Sequence, residues 1–312
     1  MKLSNFFSNT KNFGIRFAFQ SFIANHVHCI NSEFTIAQKR DIIIKNYLKR
    51  KYACIIKNCN TNIIHTNNNI IKKPYTIWVC WWHGEENMPE IIQICYKSIL
   101  KHANGNRVVL VTRENYKDYV TIPDYIINKV QKKIITLTHF SDILRICLLY
   151  EHGGLWLDAT VLVTNPIENM EAGFFSLKCK DDLWENINKK RWLAFILYLS
   201  PQNILPEFTR KILFQYWKKY NVMIDYYLID YIIDIGYDTN PHIKMLIDNI
   251  PPSNAIPHYL HNNPNEIFDP VVYNQICKET HFHKLNWKMD CRKYTANGEL
   301  TYYGYILQLG ET

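Results

Sequence analysis

Hydrophobic and polar residues repeat with a helical period over Gln38 to Tyr52, where Ile42, Ile43 and Leu48 oppose Lys45, Lys49 and Arg50. An Asn/Thr-rich stretch, Asn58 to Asn69, loses that period and predicts a linker, and Pro74 opens a new unit. Thr76 to Trp82 (TIWVCWW) is β-branched and aromatic without polar alternation, which predicts a strand buried on both faces. Met88 to His102 reads as a helix that tolerates Pro89 in its first turn, and Arg107 to Thr112 as a second strand. Two short helical pieces around Tyr116 and Tyr125 precede a strong helix over His139 to Glu151. Leu155 to Asp158 is then a strand, with Val161 to Val163 its continuation or a neighbour. The order β-α-β-α-α-β predicts an α/β fold whose mixed, mainly parallel sheet carries helices on both faces. Beyond residue 165 the pattern is mostly helical: Pro206 to Tyr220, Met223 to Ile235, His242 to Ile250 and Asn265 to Thr280.

Charge divides the chain differently. Residues 1–73 hold twelve Lys and Arg against Glu33 and Asp41, so this segment carries +10 and the remaining 239 residues −2. The basic segment also contains Phe6, Phe7, Phe13, Phe17, Phe19 and Phe22. Rings mixed with cations suit the headgroup layer of an anionic membrane surface, here over residues 1–50. They suit equally a helical N-terminal arm packed on the body, its cations merely solvated. Nucleic acid is not expected as a partner, because no helix-turn-helix, zinc-finger or RNP pattern accompanies the charge. The longest purely apolar run, Leu193 to Leu199, is far below the roughly 18 residues of a spanning helix. Asn, Ser and Thr interrupt the residues after Lys2, so no secretory h-region is expected. Nine cysteines without a CxxC pair suit reduced thiols and a cytoplasmic location, peripheral on the inner face of the membrane if the arm binds lipid.

Candidate chemistry concentrates in Thr138 to Val163, THFSDILRICLLYEHGGLWLDATVLV. Thr138 or Ser141 can cap the helix, and Asp142 suits the positive end of its dipole. The helix is otherwise apolar nearly all round, so Asp142 and Arg145, one turn apart, must pair with each other or with a polar ligand. Gly153 and Gly154 can end the helix in a left-handed turn that leaves room for a ligand. The following strand ends in Asp158, and ligands of open α/β sheets bind beyond the carboxyl ends of strands. An aspartate there can hold a divalent cation on a diphosphate or accept hydrogen bonds from hydroxyls.

SDILR followed by GGLWLDAT resembles the signature of DxD-containing sugar transferases. The likeness extends to the family 32 glycosyltransferases, the large clostridial glucosylating toxins and, most nearly, the bacterial capsular polysaccharide synthesis proteins. It spans most of residues 74–290 and includes IWVCWWHGEENMPE, IDYYLID and FHKLNWK. The resemblance implies a GT-A fold: a Rossmann-type nucleotide-sugar half over 74–164 and a helical acceptor half over 165–312, behind the arm of 1–73. It implies transfer of a hexose from a nucleotide sugar, expected to be UDP-linked, to a surface polysaccharide or lipid-linked glycan, with retention. Asp142 and Arg145 would meet the donor, and Asp158 ribose, sugar or a Mn²⁺ or Mg²⁺ ion. Thr160 stands where DxD families place a second carboxylate, so it would be a neutral metal ligand and lower cation affinity. That departure leaves open a non-catalytic nucleotide-sugar or glycan-binding subunit.

Related enzymes stack the nucleotide base on an aromatic at the end of the first strand. Trp78, Trp81 and Trp82 stand there, and alternation sends Trp81 and Trp82 to opposite faces; Trp81 is preferred for the base. The late segment His281, His283, Lys284, Trp287 and Lys288 resembles the family's motif for the leaving diphosphate. Asp230 is an acceptor-side candidate, with a structural contact as the equal alternative; Asp225, Glu85 and Glu86 are further carboxylates of interest.

Overall fold

The structure, a computed structural model, describes residues 3–26, 34–61, 74–168, 173–178, 186–251, 253 and 256–310. Four helices come first: α1 (Leu3–Phe13), α2 (Ile15–His26), α3 (Ile36–Lys51) and α4 (Ala53–Thr61). The stretch expected as a linker is thus helical up to Thr61, and its remainder lies outside the described residues. Next come β1 (Thr76–Cys80), α5 (Glu90–Lys101), β2 (Arg107–Val111), α6 (Asp124–Gln131), α7 (Leu137–Glu151) and β3 (Gly154–Asp158), in the order the periodicity predicts. β4 (Val161–Val163), β5 (Phe174–Phe175) and β6 (Ile196–Leu199) lead into α8 (Ile204–Lys219), α9 (Leu228–Thr239), α10 (Pro241–Asp248), α11 (Tyr259–Asn262) and α12 (Pro270–Glu279). β7 (Phe282–Lys284) and α13 (Tyr302–Gln308) follow.

The strands run β2-β1-β3-β6-β5. β1 pairs in parallel with β2 and β3, whereas β6 runs antiparallel to β3 and β5. The apolar run ending at Leu199 is therefore strand β6, buried throughout and placed beside β3. β4 does not continue β3: a turn at Ala159 and Thr160 redirects the chain, and β4 pairs with β7 in a separate two-stranded sheet.

Two-residue alternation sorts the sheet into two apolar cores. Trp78, Trp156, Leu197 and Leu199 join the core shared with α6, α7 and α8. Ile77, Val79, Leu155, Leu157, Ile196 and Tyr198 join the core shared with α5 and α13. The first core also takes in Phe13, Phe17, Ile44, Leu48, Tyr52 and Ile56, with α2 packed on α3, α3 on α9, and α4 on α8 and α9. The Tyr47 and Tyr220 hydroxyls meet at 2.7 Å across this seam, and Lys45 bridges Asp234 and Asp238.

α7 begins two residues earlier than its sequence suggests. Thr136, in extended conformation, accepts from His139 N at 3.2 Å and is the cap; Thr138 and Ser141 lie inside the helix. The diglycine at the other end serves packing. Gly153 and Gly154 have φ of 64° and 97°, and the Trp78 indole donates to the Gly153 carbonyl at 2.8 Å. A Cβ on Gly154 would stand 2.3 Å from Thr76 O, and one on Gly153 2.6 Å from Pro201 N. The pair opens β3, whereas Asp158 closes it roughly 13 Å away at the usual rise per residue. Gly153 and Gly154, expected to leave room for a ligand, thus stand at the opposite end of β3 from Asp158. Gly154→Ala, combining a clash with an unfavourable φ, is expected to cost roughly 3 kcal/mol or more. A melting temperature within a degree of the parent would contradict so tight an approach.

Candidate active site at the end of the third strand

Asp158, Trp156 and Gly154 leave β3 on the face that α7 covers. Arg145 reaches that face from one turn above Asp142 and is almost fully buried. Its Nη2 donates to Asp158 Oδ1 at 3.0 Å, and its Nη1 lies 3.1 Å from Asp142 Oδ1. The second approach is too bent for a hydrogen bond, and Nε has no partner, so the guanidinium keeps donor capacity. The Trp156 ring supports Arg145 at 5.0 Å, and its Nε1 donates to Asp158 Oδ1 at 2.8 Å. Two acids, one at the end of β3 and one in the second turn of α7, are therefore held on one cation.

Lys284 completes the group. It comes from β7, opposite Val161 in β4, and its Nζ lies 2.5 Å from Asp158 Oδ2. Burial alone would raise the Asp158 carboxyl. The charges of Lys284 and Arg145, with hydrogen bonds from Lys284 and Trp156, outweigh that and hold it below the usual carboxylate range. Strand alternation sends the preceding residue the other way. His283 is fully buried, with Nε2 3.3 Å from the Thr164 hydroxyl, and burial followed by the nearby His281 pushes it down to about 4. The expectation that His283 meets a diphosphate is corrected: of this pair, Lys284 faces the site.

Asp230 approaches from the first turn of α9. It is buried, and the Trp192 indole donates to it at 2.7 Å. Burial pushes its carboxyl up to about 7; Trp192 opposes this, the Asp142 charge adds to it, and Arg145 and Asn188 oppose it. The charges of Asp142 and Arg145 thus reach it, while its hydrogen-bond partner is Trp192. Asp225 instead pairs with Arg40 of α3 at 2.5 Å, outside the cluster. Glu85 and Glu86 are exposed in a short 3₁₀ turn after β1.

Beyond the ends of β1 and β2 opens a cleft of about 440 Å³, lined by Trp82, His83, Glu86, Asn87, Arg113 and Glu114. Cys80, two residues before Trp82, is in register with Asp158. Trp82 also packs edge-on against Phe140 of α7 at 4.9 Å. Trp81 is turned away: its Nε1 donates to Asn87 O at 3.1 Å, and its ring meets Trp287 edge-on at 5.6 Å. Trp82 rather than Trp81 therefore lines the open cleft, and Trp78 is core. Lys288 lies over the Trp287 ring at 5.1 Å, with no contact to Asp158 among the described residues.

Among the described residues no three His, Cys, Asp or Glu side chains converge to cage a metal. Asp158 is the carboxylate of the site nearest to Thr160 in sequence, and the Thr160 hydroxyl is buried without a partner. Asp158 and Thr160 are the residues that would hold a Mg²⁺ or Mn²⁺ ion, and Asp158 would have to give up Lys284 to do so.

The profile of the capsular polysaccharide synthesis protein family matches residues 24–306, a span that contains every residue of this cluster. The chain belongs to that family. No curated protein matches it. Membership of a capsular polysaccharide synthesis family places the chain in polysaccharide biosynthesis.

Several residues of the cluster escaped sequence reasoning. Trp156 was recoverable, since i and i−2 of a strand share a face and Asp158 needs a partner there. His139 was recoverable too, one turn before Asp142: its Nδ1 lies 3.3 Å from Asp142 Oδ2, while its Nε2 accepts from Trp217 at 2.9 Å. That second bond requires the Nδ1–H tautomer, and this N–H makes no hydrogen bond among the described residues. Trp192 and Arg113 left no local signal, because each reaches the site only through tertiary packing.

Proposed function

We propose that the chain is a glycosyltransferase of GT-A type, related to the DxD and family 32 enzymes, that moves a hexose from a nucleotide sugar to a surface polysaccharide or lipid-linked glycan in the cytoplasm. The observation that carries this reading is Arg145 bridging Asp142 and Asp158 at the carboxyl end of a parallel strand, where open α/β sheets bind ligands. In this reading the base, expected to be uracil, stacks on Trp82 in the cleft beyond β1 and β2. The diphosphate lies between that cleft and Asp158, and Lys284 exchanges its carboxylate partner for phosphate oxygen. Asp142 and Asp158 accept hydrogen bonds from sugar hydroxyls.

During transfer the bond from the anomeric carbon to the diphosphate oxygen breaks and a bond to the acceptor oxygen forms. Negative charge grows on the leaving diphosphate. In this reading Lys284 and the charge of Arg145 stabilise it, the kind of preorganised electrostatics that usually contributes most to catalysis. A bound Mn²⁺ or Mg²⁺, held by Asp158 and Thr160, would add Lewis-acid stabilisation of that charge. Retention follows if the acceptor proton passes to the leaving phosphate on the same face, which leaves Asp230 as an acceptor-side group.

Thermal-shift titration with several nucleotide sugars, with and without Mn²⁺, tests the proposal, because a bound donor raises the melting temperature according to its affinity. A UDP-hexose should give the largest shift, and Trp82→Ala should cut donor affinity by about tenfold through lost stacking. No shift with any nucleotide sugar would overturn the reading. A second reading, a non-catalytic donor-binding subunit, is favoured by Thr160 in place of a carboxylate; binding without donor hydrolysis or transfer would select it.

A further inference from the structure

In the α1–α2 hairpin, which turns at Gly14, the uncovered side of α2 is apolar. In α2, Phe17, Ala18, Ser21 and Ala24 are buried against the body. Ile15, Phe19 and Ile23 recur at i, i+4 and i+8 on the opposite side and are 62%, 56% and 39% exposed. A surface helix normally turns polar residues outward there. On α1, Phe7 is 67% exposed. Charge marks the kind of surface this stripe meets. Lys11 and Arg16 stand in the same hairpin, and residues 1–32 contain no acidic side chain at all.

We propose that the exposed stripe of the α1–α2 hairpin docks on an anionic lipid bilayer, with Phe7, Ile15, Phe19 and Ile23 in the headgroup–acyl boundary and Lys11 and Arg16 among the lipid phosphates. Large rings and branched chains with flanking cations are what such a boundary takes up, and the absence of carboxylates removes repulsion from anionic lipid. The hairpin lies on the surface and does not cross it. Its helices have 11 and 12 residues against the roughly 20 a span requires, and no helix among the described residues is long and apolar enough to cross a membrane. Docking is transmitted rigidly to the body. The Phe13 and Phe17 rings pack on Tyr47 of α3 at 5.8 Å and 5.0 Å, and α3 is joined to the start of α9 by Arg40–Asp225 and by Tyr231 donating to Asp41. If the glycosyl-transfer reading holds, this brings Asp230 to a fixed relation with the surface that carries a lipid-linked acceptor.

Co-sedimentation of the full chain with vesicles tests the docking independently of any sugar chemistry. Vesicles with about 30 mol % phosphatidylglycerol should bind the chain about tenfold better than pure phosphatidylcholine at 0.1 M salt. The triple variant Phe7→Ser, Ile15→Ser, Phe19→Ser and the pair Lys11→Glu, Arg16→Glu should each lower binding about tenfold, with melting temperatures kept. Equal binding by parent and variants, or no sedimentation of the parent, overturns the proposal. So does a parent dimer in light scattering that the triple variant converts to monomer, since a second copy of the chain would then cover the stripe.

Discussion

Asp158→Asn is expected to lower donor-sugar hydrolysis by at least about 100-fold while the protein stays folded. An asparagine keeps one oxygen for Arg145 and Trp156 but removes the charge that Lys284 and Arg145 share. Without the carboxylate, Lys284 loses its 2.5 Å partner and the position that would bind a sugar hydroxyl or metal loses its charge. Arg145→Ala should act differently. It leaves Asp142 and Asp158 facing each other without the cation between them, and removing one partner of a buried ion pair typically costs about 3–5 kcal/mol. Asp142 and Asp158 are 15% and 24% exposed in their side chains, so solvent screening brings the expected figure to about 2–3 kcal/mol, alongside loss of hydrolysis. Thermal melts of both variants next to a hydrolysis assay separate the two effects. Parent-level hydrolysis by a folded Asp158→Asn protein would end the catalytic reading.

The central unit was legible because its elements are local in sequence. β1, α5, β2, α7 and β3 each declare their period within a dozen residues, and the parallel order follows from their alternation with helices. Asp142 and Arg145 could be paired from helical spacing alone, and the site of Asp158 from the direction of the strand. What the sequence left unread depends on contacts between distant segments. β6 is an apolar run like many helix interiors, and only its antiparallel pairing with β3 gives it strand form. The spacing of Gly153 and Gly154 does not distinguish close backbone packing from ligand approach, and only the contacts to Thr76 and Pro201 reveal the packing. His283 and Lys284 are adjacent residues with similar chemistry; only the register of β7 against β4 decides that lysine faces Asp158 and histidine the interior. The choice between Trp81 and Trp82 likewise waited on which face of β1 the cleft adjoins.

Asp142 and Asp158 share Arg145, Lys284 holds Asp158, and Asp230 feels the charges of Asp142 and Arg145. Asp230 is the acid whose charge changes near neutrality, because its carboxyl stands at about 7 from burial above all. A folded value raised above the unfolded carboxylate range means that the native state binds the proton more tightly. Its contribution to stability therefore falls as pH rises from the unfolded value towards 7, and is constant above. Asp230→Asn removes this dependence while keeping an oxygen for the Trp192 indole. Relative to the parent, the variant should gain on the order of 2 kcal/mol between pH 5 and pH 8, seen as a growing difference in melting temperature.

The same titration reaches the ligand. With Asp230 protonated, two carboxylates balance two cations; once it ionises, a third negative charge faces an incoming diphosphate. Affinity for UDP-glucose, whose diphosphate does not titrate here, should weaken a few-fold as pH rises from 6 to 8 in the parent and stay level in Asp230→Asn. Binding should also draw a proton onto the parent, since two further negative charges raise the Asp230 carboxyl, and the calorimetric heat at pH 7 should then depend on the buffer's ionisation enthalpy. A parent whose melting temperature, donor affinity and binding heat all track the asparagine variant across this range would place Asp230 outside the donor's field and reduce it to a buried support for Trp192.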